Sequence, residues 1–93
     1  MDSDSLKNKI VRAANVPKDV VLGVPILTMT GQMELCIENY KGIIEYTDLL
    51  IRVQSKIGQI KVVGKHLQIE YYTNDEMKIT GRILSIDFGE RRI

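Results

Sequence analysis

The sequence predicts a mainly β domain: a small antiparallel β-sandwich or roll of about seven short strands, preceded by one short N-terminal α-helix. Three observations predict it. The hydrophobic period changes from helical to alternating after Pro17. From there to the end, strand-sized apolar runs are separated by Gly, Asn, Asp and Ser turns. The C-terminal half contains a strand–Gly–strand unit written twice. A chain of 93 residues supports one modest core, so one domain is expected, with residues 1–16 a helical segment and residues 17–93 the β domain.

The helix begins at Asp4 or Ser5, whose side-chain oxygens can accept from the free amides of a first turn. Leu6, Ile10 and Ala13 or Ala14 recur at helical spacing, with Lys7, Lys9 and Arg12 off that stripe. Asn15 and the Val16–Pro17 step end it, because the residue before a proline avoids the helical region. Val20 to Leu22 is a short apolar run before Gly23 and Pro25, and Ile26 to Thr30 is a β-branched strand. After the Gly31–Gln32 turn, Met33, Leu35 and Ile37 alternate with Glu34, Cys36 and Glu38, a strand with one dry and one wet face. Asn39 to Gly42 is a turn; Ile43 to Tyr46 and Leu49 to Gln54 are strands around a Thr47–Asp48 break; Ser55 to Gly58 is the next turn.

The repeat follows. Residues 60–71 read IKVVGKHLQIEY and residues 77–88 read MKITGRILSIDF. Lys61/Lys78, Gly64/Gly81, Leu67/Leu84 and Ile69/Ile86 are identical, and Ile60/Met77, Val62/Ile79, Lys65/Arg82, Glu70/Asp87 and Tyr71/Phe88 keep their chemistry. In each copy two short strands meet at a glycine, whose missing Cβ permits positive φ or a close backbone approach. Leu67, Ile69 and Tyr71 are expected on one inward face, and Leu84, Ile86 and Phe88 on the matching one. Residues 44–55 read as a fainter third copy, with Asp48 at the glycine position.

Composition narrows the function. Hydrophobic residues make up 44% and charged residues 27%, values of a globular domain and not of a disordered chain. Thirteen basic and twelve acidic residues leave a net charge of +1, which gives no electrostatic reason to expect a polyanion as partner. The single Cys36 excludes an internal disulfide framework, and a small core without staples points to a reducing compartment or to help from a partner subunit. The acidic, polar start Met-Asp-Ser-Asp-Ser is not that of a signal peptide, and no window has the length of a membrane span. A cytoplasmic protein is expected.

No enzymatic constellation is legible. His66 falls on the Gln68/Glu70 side of its strand, exposed and without an orienting carboxylate. One Cys and one His without ligand spacing do not make a zinc site. Cys36 shares its face with Glu34 and Glu38, which work against a thiolate nucleophile; a small side chain under the N-terminal helix is the plainer reading. Asp75/Glu76 and Glu70/Asp87 read as turn and face residues, and the seven glycines stand singly, without a phosphate loop. No catalytic, metal or cofactor-binding residue is therefore assigned, no cofactor is expected, and the binding surface is left open. Nucleic acid is the second reading: a short helix before bent strands is the outline of Sm-like and other small RNA-binding barrels. There Lys56, Lys61, Lys65, Lys78 and Arg82 would form a stripe, with Tyr40, Tyr46, Tyr71 and Tyr72 stacking bases. Interleaved Glu70, Asp75, Glu76 and Asp87 weigh against it, and alternation places Tyr71 in the core. Membrane contact is open only to the N-terminal helix, through Lys7, Lys9 and Arg12.

From Glu38 to Phe88 the chain resembles the YabP/YqfC family of sporulation proteins, specifically its YqfC branch. The carrying runs are Glu38-Asn39-Tyr40-Lys41-Gly42-Ile43, then Ile57 through Lys65, then Leu67 through Glu76, and then Met77-Lys78-Ile79-Thr80-Gly81-Arg82-Ile83. The resemblance extends upstream to about Pro17 and leaves the N-terminal helix outside. It implies a β-sandwich domain able to form homodimers. It also implies a non-catalytic part in endospore formation, in assembly of the spore coat or envelope through protein partners, at the mother-cell or forespore surface. The family offers no catalytic motif to carry over.

Overall fold

A computed structural model describes residues 23–89. These form six strands: β1 (Ile26–Thr30), β2 (Glu34–Glu38), β3 (Tyr40–Tyr46), β4 (Leu50–Ser55), β5 (Gly58–Tyr72) and β6 (Glu76–Phe88). All lie in one antiparallel sheet ordered β1-β2-β6-β5-β4-β3. The expected N-terminal helix over residues 1–16, the Val20–Leu22 run and any cover over Cys36 by that helix lie outside the described residues. The domain is mainly β as expected, and the described residues hold six of the about seven strands expected.

Each strand–Gly–strand unit is a single long strand bent at its glycine. A Cβ on Gly64 would lie 2.1 Å from the Arg82 carbonyl oxygen, and one on Gly81 would lie 2.5 Å from that of His66. Both glycines are thus required by backbone approach, and Gly81 also by its φ of +130°. The third, fainter copy is not a bent strand: Asp48 sits in the tight turn between β3 and β4. There the Thr47 hydroxyl accepts from the amides of Leu49 and Leu50 at 3.2 and 2.9 Å.

The two copies pair with each other, and the repeat becomes a pseudo-dyad. Lys65 stands opposite Arg82, its own counterpart, and Val62↔Ile86 and Val63↔Ser85 mirror Ile69↔Ile79 and Gln68↔Thr80. The relation spreads to strands that share no obvious wording. Leu35 and Ile37 pair with Ile79 and Met77 as Ile51 and Val53 pair with Val62 and Ile60. The Gly64 amide donates to the Leu49 carbonyl at 3.0 Å as the Gly81 amide donates to that of Met33 at 3.2 Å. Gly23 (φ 67°) and Asn39 (φ 65°), which precede the two outer hairpins, share the left-handed conformation. One half of the sheet is β1, β2 and β6; the other is β3, β4 and β5.

The core follows from this symmetry. Among the described residues, the eight fully buried side chains are Leu35, Ile37, Met77 and Ile79 in one half and Ile51, Val53, Ile60 and Val62 in the other. They form four directly opposed pairs, so all lie on the same face of the sheet. A flat sheet would leave that face wet; the sheet is rolled about the glycine bends. Asn39 alone links β2 to β3, although β3 is the far edge of the sheet, and its amide reaches the Asp75 carbonyl at 2.6 Å. Across the roll, the Tyr40 hydroxyl donates to the Thr73 carbonyl and the Ile69 amide donates to Tyr46 Oη at 2.9 Å. The roll is therefore the half of the sandwich-or-roll expectation that describes this single sheet.

Four side chains expected to face inward do not. Tyr71 is 43% exposed, Leu84 50% and Phe88 57%. Leu84 is the extra residue of a β-bulge between Val63↔Ser85 and Gly64↔Ile83, so Ile83 faces the core in its place. A second shift between Ile69 and Tyr71 turns Tyr71 out, while Phe88 lies at the open end of β6. Met33, expected on the dry face of β2, lies in the β1–β2 turn and is exposed.

Candidate interaction surface

The residues weighed for chemistry are dispersed. His66 is exposed, in the left-handed region at φ 55°, where the β5 bend passes Gly81. It lines an open groove of about 700 Å³ with Gln32, Met33, Glu34, Thr80 and Arg82. Cys36 is half-buried on β2 between Thr28 and Lys78, on the Glu34/Glu38 face read from alternation. Lys78 Nζ lies 2.6 Å from Glu34 and 3.6 Å from Glu70, and the hydrogen bond it donates to Glu34 raises its pKa. Asp75 lies in the β5–β6 turn and Glu76 opens β6, and the Thr73 hydroxyl accepts from the Glu76 amide at 3.2 Å. Glu70 reaches toward Lys78, whereas Asp87 stands opposite Lys61.

The basic stripe is interrupted by carboxylates. Arg52 sits between Lys61 and Glu45 in the ladder and binds Glu45 at 2.8 Å. Lys78 is engaged as above. Lys65 and Arg82 alone among the stripe residues are brought face to face, by the pseudo-dyad. Of the four tyrosines, Tyr40 and Tyr46 tie the roll shut, and Tyr71 and Tyr72 project at the end of β5. Nearby Glu76 raises the Tyr71 pKa, and burial raises that of Tyr40.

Among the described residues, no group of three or more His, Cys, Asp or Glu is placed to hold a metal ion. No helix among them is long and apolar enough to cross a membrane. The one buried polar side chain among the described residues, Ser55, donates to the Gly58 carbonyl at 2.7 Å and accepts from the Ile57 amide at 3.2 Å, closing the β4–β5 turn. What the sheet offers is surface. Exposed apolar side chains stand at the hairpin tips, Met33 and its dyad counterpart Leu49, and along β6, Leu84 and Phe88.

The two edges of the sheet differ. β3 carries Lys41 and Glu45, has two register shifts, and is tied at both ends by Tyr40 and Tyr46. β1 reads Ile-Leu-Thr-Met-Thr, with no charge and an unbroken register against β2. Which strands are outermost depends on pairings distant in sequence, so the sequence alone does not identify them.

A family model described as the YabP family matches residues 24–93. A protein of Bacillus subtilis (strain 168), described as uncharacterized protein YqfC, is 31% identical over 85 residues, covering 91% of each chain. No solved structure matches.

Proposed function

The chain belongs to the YabP/YqfC family, and on that premise we propose that it is a non-enzymatic assembly protein of endospore formation. It acts in building the spore coat or envelope, through protein–protein contacts, as a homodimer in the cytoplasm at the mother-cell or forespore surface. The observation that carries this reading is the family match over the whole described sheet. The dispersal of His66, Cys36 and the carboxylates agrees with a platform for contacts more than with a reaction centre.

Deleting the gene from its own host and inducing sporulation tests the proposal. Spores with a defective envelope and reduced lysozyme resistance are expected; an intact envelope with normal resistance would remove its main support.

An RNA-binding module is the second reading, favoured by the opposed cations Lys65 and Arg82 and by exposed Tyr71 and Tyr72. Phosphate-driven binding weakens steeply with salt, so it must be strongest at low salt. Absence of single-stranded RNA retention in a low-salt filter assay eliminates it.

A further inference from the structure

Within its five residues, the edge strand β1 has no charge, no proline and no bulge. Natural sheets blunt their edges with charge, proline, bulges or a covering element. β3, the dyad counterpart of β1, has charge, bulges and tyrosine tethers. β1 has neither charge nor bulge, and among the described residues it pairs only with β2.

We propose that two copies of the chain join edge to edge through β1, antiparallel about Thr28, so that their rolled sheets become one continuous sheet. This rests on the homodimer named above and specifies its interface. In an antiparallel pair each residue's N–H and C=O point to the same side, and outward-facing residues must meet outward-facing residues. A two-fold axis therefore passes through a residue, and Thr28 is the middle of the five. Leu27 then faces the second copy's Met29. Both lie on the apolar face, since Leu27 pairs with Ile37 and Met29 with Leu35. Met29 is 39% exposed in the single chain and would be covered. On the other face Thr28 meets the second copy's Thr28 and Ile26 meets its Thr30, pairs suited to a sheet.

Sedimentation of the full chain tests this with two variants. Wild type is expected at twice 10.6 kDa at micromolar concentrations. Thr28→Lys places two lysines directly opposite across the axis, while within one chain its diagonal neighbours are Glu34 and Glu38. It should keep the fold and weaken dimerisation at least about tenfold. Thr28→Cys is made with Cys36→Ser, because Thr28 and Cys36 are register partners within the chain. It should cross-link the dimer under mild oxidation.

A wild-type dimer unaffected by Thr28→Lys and not cross-linked through Thr28→Cys would overturn the β1 interface and leave the homodimer standing. A wild-type monomer at high micromolar concentration would overturn both, with the edge open or covered by residues of the same chain. The sporulation phenotype judges the assembly role separately.

Discussion

Lys65 and Arg82 stand directly opposite each other at the centre of the β5–β6 ladder, and they occupy the same position in the two copies of the repeat. In an antiparallel pair of repeats, equivalent positions meet only at the dyad. The glycine before each cation then faces the backbone of the other copy: Gly64 lies against Arg82 and Gly81 against His66 and Leu67. The repeat is the hinge about which the sheet rolls.

Alanine at either hinge glycine should be severe. The new Cβ would meet backbone atoms at 2.1 Å or 2.5 Å, and neither ladder can part without losing the bend. Gly64→Ala and Gly81→Ala are each expected to cost about 3 kcal/mol or more. Gly42→Ala is the control: its Cβ meets nothing within 4 Å and its φ is ordinary. That change should be neutral or stabilise by up to about 1 kcal/mol. Urea denaturation of the three variants measures the contrast.

The two core quartets should be energetically matched. Leu35 and Ile51 are dyad counterparts and both fully buried. Leu35→Ala and Ile51→Ala should each cost about 2–5 kcal/mol, with both halves melting in one transition, because neither quartet stays dry without the other. Two separated thermal transitions in either variant would show that the halves fold independently.

Alkaline pH should loosen the roll. Burial raises the Tyr40 pKa above its ordinary 10.0, with the charges of Tyr72 and Asp75 adding to it. The Glu34 hydrogen bond raises Lys78 above its ordinary 10.5. A raised folded-state pKa contributes stability that is fully present below the unfolded value and is lost as pH rises through the folded one. Stability should therefore fall above about pH 10. Tyr40→Phe loses the hydrogen bond to the Thr73 carbonyl, about 0.5–1.5 kcal/mol at neutral pH, and should show a shallower alkaline fall. Thermal melts between pH 8 and 11 check both.

His66 holds a conformation that side chains adopt at a cost. Its ring is exposed, so His66→Gly should be neutral or stabilise by up to about 1 kcal/mol, since relief of strain is partly offset by unfolded-chain entropy. A loss of more than about 1 kcal/mol by chemical denaturation would mean that the imidazole contributes an interaction of its own.

Much of this was legible where local rules act alone. The turns at Gly31, Thr47, Ser55 and Thr73 lie where Gly, Ser, Thr and Asp cluster, and Leu35, Ile37, Ile51 and Val53 follow alternation. The failures sit where alternation is interrupted. A bulge shifts the parity of a strand by one residue, so Leu84 and Tyr71 turned outward; the adjacent apolar pair Ile83–Leu84 was the available sign, because only one of two successive residues can face inward. The glycines were read as ends of short strands because a bend without a break has the same wording as a turn. The edges were beyond reach because strand order depends on pairings distant in sequence, and the interaction surface is defined by those edges.

The proposed assembly role needs contact and no chemistry. Complementation of a deletion strain with a Cys36→Ser, His66→Asn variant tests it most directly. Asparagine tolerates the left-handed position, so the fold is kept while the thiol and the imidazole are removed together. The account predicts spores with wild-type envelope structure and lysozyme resistance. A variant that is folded and abundant, yet leaves spores as defective as those of the deletion strain, would contradict it.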